Sequence, residues 1–525
     1  MSAKLLKSGA IVSLMTFLSR ILGLVRDIVT ANILGAGAMA DVFLMVNRIP
    51  NFLRRLFAEG AFAQAFVPVL ADVKTKHGDD AVRQLVAKTA GTLGMIVTIV
   101  TAIAMLASPV IMALFGMGWF ESYLSGEPDG EKYLHASVLL KITFPYLWFI
   151  TFVALSGAIL NVYNQFAVAA FSPVFLNIAM IGAALYLSPH TDDPSTALAW
   201  GVFLGGLIQF LFQIPFLAKQ KLLVRPRWGW RDPDVVRIRT LMIPALFGVS
   251  VSQINLLLDA VIASFLMTGS VSWLYYSDRL LEFPLGMFGI AIATVILPSL
   301  SKLVASERMS DYQHTLDWGI ATICFLGLPS MAGLILLAEP MLLTVFEHNG
   351  KFTIDDAAQS AMALIAYGVG LVPLMLIKVL APAFYARQDT KTPVRIGIIA
   401  MVANMGFNLM LAPFIGFVGL ALATSLSGAL NAWLLYRALS TQQMYHVRAP
   451  LVWLLARMTV ATLAMSAMLY YLLPDASLWQ HADWDWRVQQ LGLLLALAVP
   501  CYVAAFFVVG GRIQHFKRKT NAETP

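Results

Sequence analysis

Runs of about twenty apolar residues recur along nearly the whole chain, and nothing else constrains its fold so tightly. A run of that length, wound as an α-helix, matches the hydrocarbon thickness of a bilayer. Fourteen candidate spans can be placed, near 9–34, 39–66, 86–115, 134–162, 168–188, 196–218, 238–267, 271–300, 314–338, 356–385, 393–413, 417–438, 449–473 and 487–510. Only 12% of the 525 residues are charged, against about 25% in a soluble domain. The expected fold class is therefore an all-α integral membrane protein with about fourteen transmembrane helices.

Loop charges test that count. With the N-terminus cytoplasmic, the inside loops hold Lys74 and Lys76, a basic run from Lys219 to Arg239, Lys302 and Arg308, Arg387 and Lys391, and Arg448. The outside loops are acidic or neutral, as at Glu127, Asp129, Asp193, Glu347 and Asp485. Every long loop obeys the positive-inside rule, which predicts an even number of spans and both termini in the cytoplasm. Lys4 and Lys7 precede an apolar run, but no small-residue cleavage site follows, so the run reads as a retained first helix. The net charge of +7 belongs to these topology signals and does not suggest nucleic acid. Cys324 and Cys501 imply neither a disulfide framework nor a metal motif.

The sequence also repeats itself weakly. Asn47-Arg48 followed by Gly60 to Leu70 is echoed by Asp278-Arg279 followed by Gly289 to Leu300. Phe144-Pro145 leading to Tyr163-Asn164-Gln165 is echoed by Val372-Pro373 leading to Tyr385-Ala386-Arg387-Gln388. Two parallel six-helix halves are a standard transporter plan. The expected organisation is two pseudo-symmetric lobes, 1–220 and 221–440, then an extra helix pair within 441–512 and a basic tail at 513–525.

Four arginines break the apolar pattern: Arg20, Arg26, Arg54 and Arg279. A charge at the centre of a membrane helix costs about 2.5–3.5 kcal/mol even on lenient scales. A chain that keeps several is expected to hold them in a wet cavity for an anionic ligand. Arg20 and Asp27 share a helical face and Arg26 is turned aside from it. The second span carries Asp41, Arg48, Asn51, Arg54, Arg55 and Glu59, with Arg55 and Glu59 spaced as an i,i+4 pair. The eighth carries Asp278, Arg279 and Glu282. Pro50 and Pro284 sit beside these charges, and proline-broken helices line transporter cavities. The competing reading is internal salt bridges that only hold helices together. For Arg26, Arg54 and Arg279 substrate binding is preferred, because guanidinium groups match phosphate oxygens bidentately.

The stretches Phe17 to Asp27, Arg48 to Phe62 continuing to Pro68, Gly269 to Arg279, and Ala386 to Pro393 carry a family resemblance. The chain resembles the MurJ (MviN) lipid II flippase family of the multidrug/oligosaccharidyl-lipid/polysaccharide exporter superfamily, over nearly its whole length. The resemblance implies two lobes around a cationic cavity in the bacterial inner membrane. It implies export of an undecaprenyl-pyrophosphate disaccharide-pentapeptide to the outer leaflet by alternating access. Arg26, Arg54 and Arg279 would face the pyrophosphate, with Arg20, Asp27, Asp41, Asn51 and Glu59 at cavity or gate positions. The two extra helices would make a groove for the lipid tail. Implied partners are lipid II, membrane lipids and the cell-wall synthesis machinery.

A second polar group sits deep in apolar spans: Asp259 in the seventh, Asn404 and Asn408 in the eleventh, Thr424 in the twelfth. Oxygen donors suit hard cations, and some relatives in the family bind sodium between these helices. The competing reading is interhelical hydrogen bonding. Asn408 also stands where a second carboxylate would strengthen such a site. An enzyme is not expected: no His pairs with Cys, Ser or carboxylate at motif spacing, and there is no Walker loop. Remaining alternatives are a related exporter of another polyprenyl-linked glycan or amphiphile, a drug exporter, and a non-transporting scaffold. A cationic-drug exporter would need acidic cavity residues, and a scaffold leaves the buried arginines unexplained.

Overall fold

The computed structural model describes residues 3–55, 62–348 and 350–516, and among them every regular element is helical. The chain divides into two compact units, Met1–Val271 and Ser272–Pro525. The first unit contains α1 (Ala3–Leu34), α2 (Ala38–Leu53), α3 (Phe62–Leu106), α4 (Ser108–Phe115), α5 (Met117–Leu124), α6 (Gly130–Thr143), α7 (Pro145–Val162), α8 (Phe166–Gly182), α9 (Pro194–Lys219) and α10 (Pro233–Ala263). The helix α11 (Ser270–Pro284) leads into the second unit. There follow α12 (Ile290–Ala305), α13 (Met309–Leu336), α14 (Ala338–Phe346), α15 (Ile354–Val369), α16 (Leu371–Tyr385), α17 (Lys391–Ile415), α18 (Phe417–Thr441), α19 (Ala449–Leu472), α20 (Ala476–His481) and α21 (Trp484–Val508).

Among the described residues, eleven helical stretches are long and apolar enough to cross a membrane. They coincide with the expected spans three to six and eight to fourteen. The first and seventh expected spans are also helices, of 32 and 31 residues. The second appears as α2, whose continuation at 56–61 lies outside the described residues. The expected third span, 86–115, is not one straight helix. It begins inside α3, after a kink at Gly78, and breaks at Ala107 before α4.

In the first unit α9 is central, packed by α6, α7 and α8, with α1 on the far side of α8. Small residues permit this. A Cβ on Gly201 would lie 2.7 Å from that of Ala183, and one on Gly205 would lie 2.6 Å from Leu176 Cδ1. Without hydrophobic drive between helices in lipid, such backbone approach is what holds them together. In the second unit α18 packs on α15, α16 and α17, and the α19–α21 pair rests on α13 and α14.

The duplication glimpsed in the sequence is written in the backbone. Left-handed residues end corresponding helices in each half: Gly35 and Gly269, Gly78 and Glu307, Gly126 and Gly350, Asn164 and Gln388, Lys221 and Gln443. The fourth and tenth spans are also both interrupted near proline, as α6–α7 at Pro145 and α15–α16 beside Pro373. Non-glycine residues seldom adopt positive φ, so three pairs that include them, at matching turns, mark one plan used twice.

Candidate substrate site

The arginine-bearing helices are bent at proline. After Pro50 in α2 the winding widens to a π turn at Arg54 and Arg55. After Pro284 the chain makes a π turn over Leu285–Gly289 before α12. Proline removes one ladder bond and the wider turn absorbs the misfit. The two bends fall at corresponding places in the two halves, each close to the candidate cations.

In the first unit Arg26 is held from two sides. Its Nε and Nη2 donate to Asp27 Oδ1 at 3.0 and 2.7 Å, and its Nη1 donates to Asn177 Oδ1 at 3.1 Å. Asn177, buried on α8, donates in turn to the Ser19 carbonyl at 3.1 Å. Asp27 is thus the partner of Arg26 beside it, while Arg20 is exposed. Asn177 escaped the sequence reading, although a lone amide in the apolar fifth span was a usable signal. On α2, Arg54 Nε donates to Asn51 Oδ1 at 3.3 Å, and Asn51 donates to the Asn47 carbonyl at 3.0 Å. Arg48 and Arg54 are half-buried and Arg55 is exposed. Glu59, and with it the expected Arg55–Glu59 pair, lies outside the described residues. In the second unit Arg279 Nη1 pairs with Glu282 Oε2 at 3.0 Å.

Asp41 plays a different part. It is 2% exposed, and its Oδ2 accepts the Gly269 N–H at 2.6 Å. The same 264–270 turn is fastened by Lys132, which reaches Thr268 Oγ1 and Asp129, and by Ser264 Oγ, which accepts the Gly118 N–H at 3.0 Å. The turn between α10 and α11 is therefore tied to α2, α5 and α6. Asp41→Ala removes a charge-assisted bond of about 1.5–3 kcal/mol. Hydrogen exchange at the Gly269 amide is expected to quicken by about ten- to a hundredfold, with Asp41→Asn showing less. Unchanged exchange in Asp41→Ala would contradict this tie.

The second polar group is placed as follows. Asp259 is half-buried on α10. Asn404 and Asn408 are wholly buried on α17, and Asn408 Nδ2 donates to Asn404 Oδ1 at 3.0 Å. Asn404 Nδ2 donates to Ser427 Oγ at 3.2 Å, and Thr424 Oγ1 donates to the Leu420 carbonyl at 3.1 Å. Among the described residues no three His, Cys, Asp or Glu side chains cluster as metal ligands would.

A family profile described as "Lipid II flippase MurJ" matches residues 30–485. The "Probable lipid II flippase MurJ" of Vibrio cholerae is 58% identical over 99% of both chains. This chain belongs to the MurJ lipid II flippase family. The "Probable lipid II flippase MurJ" of Haemophilus influenzae is 56% identical, over 96% of this chain and all of that one. A solved structure described as "Lipid II flippase MurJ, inward closed conformation" superposes with a TM-score of 0.77 at 26% identity, covering 95% of this chain and 97% of that one. An inward-facing multidrug resistance MATE transporter of the MOP superfamily gives 0.68 at 14% identity, over 81% and 95% of the two chains, which shows the shared fold. The chain is thus a multi-pass membrane protein with the MurJ/MATE architecture. The profile match starts at residue 30, beyond the MurJ-like stretch with Arg20, Arg26 and Asp27, which the full-length V. cholerae relative does cover.

Proposed function

We propose that this MurJ-family chain carries lipid II from the inner to the outer leaflet of the bacterial inner membrane by alternating access, for cell-wall synthesis. The observation that carries the reading is the presence, once in each half, of a proline-bent helix with an arginine near the bend, in a chain 58% identical to a "Probable lipid II flippase MurJ". Arg26, Arg54 and Arg279 bind the diphosphate. Their neighbours Asp27, Asn51 and Glu282 lower the cost of keeping a cation in the membrane, and the diphosphate displaces or joins them. Arg20, Asp41 and Glu59 serve at cavity or gate positions. No bond is made or broken in the substrate, so no enzyme activity is invoked. An inside-negative potential helps export an anion by about 2.3 kcal/mol per charge per 100 mV.

The undecaprenyl tail stays in lipid beside α19 and α21. These helices expose Trp453, Val460, Leu463, Leu493 and Val499. Next to them, an apolar cavity of about 410 Å³ is lined by Trp318, Phe325, Leu326, Phe506, Phe507 and Phe516, with Thr322. The deciding experiment is a leaflet-accessibility assay for lipid II in vesicles with this protein as the sole candidate, with and without a membrane potential. Outer-leaflet lipid II is expected to rise only with protein present. No rise under either condition defeats the proposal.

Sodium at Asp259, Asn404, Asn408 and Thr424 is a second reading, favoured by two wholly buried amides at i,i+4 on α17. Against it, the Asn404 oxygen already accepts from Asn408, and the Asn404 nitrogen donates to Ser427. The reading predicts that sodium, but not choline, raises the melting temperature, and raises it more in Asn408→Asp, which restores a second carboxylate. A ligand at 100 times its Kd adds about 2.7 kcal/mol. No sodium-specific shift in either protein retires it.

A further inference from the structure

Between α9 and α10 the chain forms a strap, residues 221–232, laid across α3. The Arg227 N–H donates to the Ala87 carbonyl at 2.8 Å, and the Gly229 N–H donates to Thr92 Oγ1 at 3.0 Å. Lys88 pairs with Asp232, which also caps α10 through the Asp234 N–H at 3.1 Å. The approach is closest at two glycines. A Cβ on Gly91 would lie 2.2 Å from the Arg227 carbonyl oxygen, and one on Gly229 would lie 2.6 Å from Lys88 Cβ. Leu222 is buried in the core beneath. The strap is therefore a fixed surface whose outward side chains are set by its backbone.

Those side chains are aromatic and basic, two tryptophans flanked by arginines. Trp228 is 56% exposed and Trp230 40%, and their rings stack with centroids 6.0 Å apart. The Arg239 guanidinium covers Trp230 at 4.0 Å. Arg225, Arg227 and Arg231 are exposed. Nearby Lys88 and Arg237 are engaged by Asp232 and Asp72, but these three arginines form no ion pair among the described residues.

The depth of the strap follows from α3. It crosses that helix at Ala87 to Thr92, and the outward apolar side chains begin at Met95 and Ile96 and continue with Ile99, Val100 and Ile103. At about 1.5 Å of rise per residue, the strap lies within roughly 10 Å of the lipid-facing surface. That is headgroup depth, where indoles and basic side chains are both at home.

We propose that the 221–232 strap is a preformed docking surface for anionic phospholipid headgroups. Trp228 and Trp230 seat in the interfacial layer, and Arg225, Arg227 and Arg231 bind lipid phosphates. This holds whatever substrate the chain carries.

The test uses the full chain in phosphatidylcholine nanodiscs, with Cys324→Ser, Cys501→Ser and a bimane-labelled Leu223→Cys. A small fraction of brominated phosphatidylglycerol or brominated phosphatidylcholine serves as quencher. Brominated phosphatidylglycerol is expected to quench several-fold more at equal fraction, and rising salt should erode that excess. Combining Arg225→Gln, Arg227→Gln and Arg231→Gln should remove most of that preference, since each cation near the surface is worth about fivefold. Equal quenching by the two lipids, or a preference that survives both salt and the triple substitution, overturns the proposal. So does displacement of the brominated lipid by equimolar lipid II, which would make the strap a substrate site. The salt series needs no arginine variant, so misfolding of the triple substitution cannot hide the answer.

Discussion

Replacing Arg26, Arg54 or Arg279 by Ala, one at a time, is expected to abolish growth of cells depleted of their native flippase, with each variant present in the membrane at the normal level. Each guanidinium is expected to contribute charged hydrogen bonds to the diphosphate of about 1.5–3 kcal/mol apiece. Losing one therefore costs about ten- to a hundredfold in binding, on a substrate that must also be released. Lys at the same positions keeps the charge and loses the planar fork, so slow growth is expected in place of none. The structure adds a finer expectation. Asp27 binds Arg26 at 2.7 Å and Glu282 binds Arg279 at 3.0 Å. Removing either carboxylate leaves its arginine with a greater burial cost and should lower protein level, whereas Arg54→Ala and Arg279→Ala should lower transport alone. Full growth of all three arginine variants would rule out the assigned role.

The largest expected stability effect lies far from those residues. Arg487 at the start of α21 is 4% exposed. Its guanidinium pairs with Glu347 and donates to the carbonyls of Trp479 at 2.8 Å and Gln480 at 3.1 Å. It thereby fixes α20 and the head of α21 to the end of α14. Trp484 reinforces the joint by donating to the Thr344 carbonyl at 3.1 Å. Breaking a buried pair by deleting one partner costs about 3–5 kcal/mol, because the other charge and the carbonyls lose their partners. Arg487→Met should lower the melting temperature in detergent sharply, while Glu347→Gln, which keeps an acceptor, should lower it less. Equal melting temperatures for Arg487→Met and the parent would contradict this account.

Much of this architecture was legible in the sequence because bilayer thickness dictates helix length. Spans three to six and eight to fourteen needed only the apolar runs, and the family resemblance was carried by uninterrupted motifs such as Asn51 to Glu59. What local pattern could not show is which partner a polar side chain chooses. Helical spacing put Asp27 on the Arg20 face, yet Asp27 binds its neighbour Arg26. Asp41, expected at a cavity or gate position, holds the Gly269 backbone, more than two hundred positions away. The basic run from Lys219 to Arg239 read only as a topology signal, because its close fit across α3 depends on Gly91 and Thr92, which nothing in the local sequence marks. Breaks were also hard to see. Pro145 stands at the α6–α7 interruption, inside what read as one span at 134–162, and Ala107 gave no warning of the break before α4.

The hairpin of α19 and α21 has a further meaning when set against the doubled turns. A molecule made of two like halves would offer two equivalent flanks to the surrounding oil. Among the described residues the hairpin leans on α13 and α14, which belong to the later copy. The added flank thus belongs to the second unit, and for the proposed transport a cargo with a single hydrocarbon leash needs only one side along which to trail it.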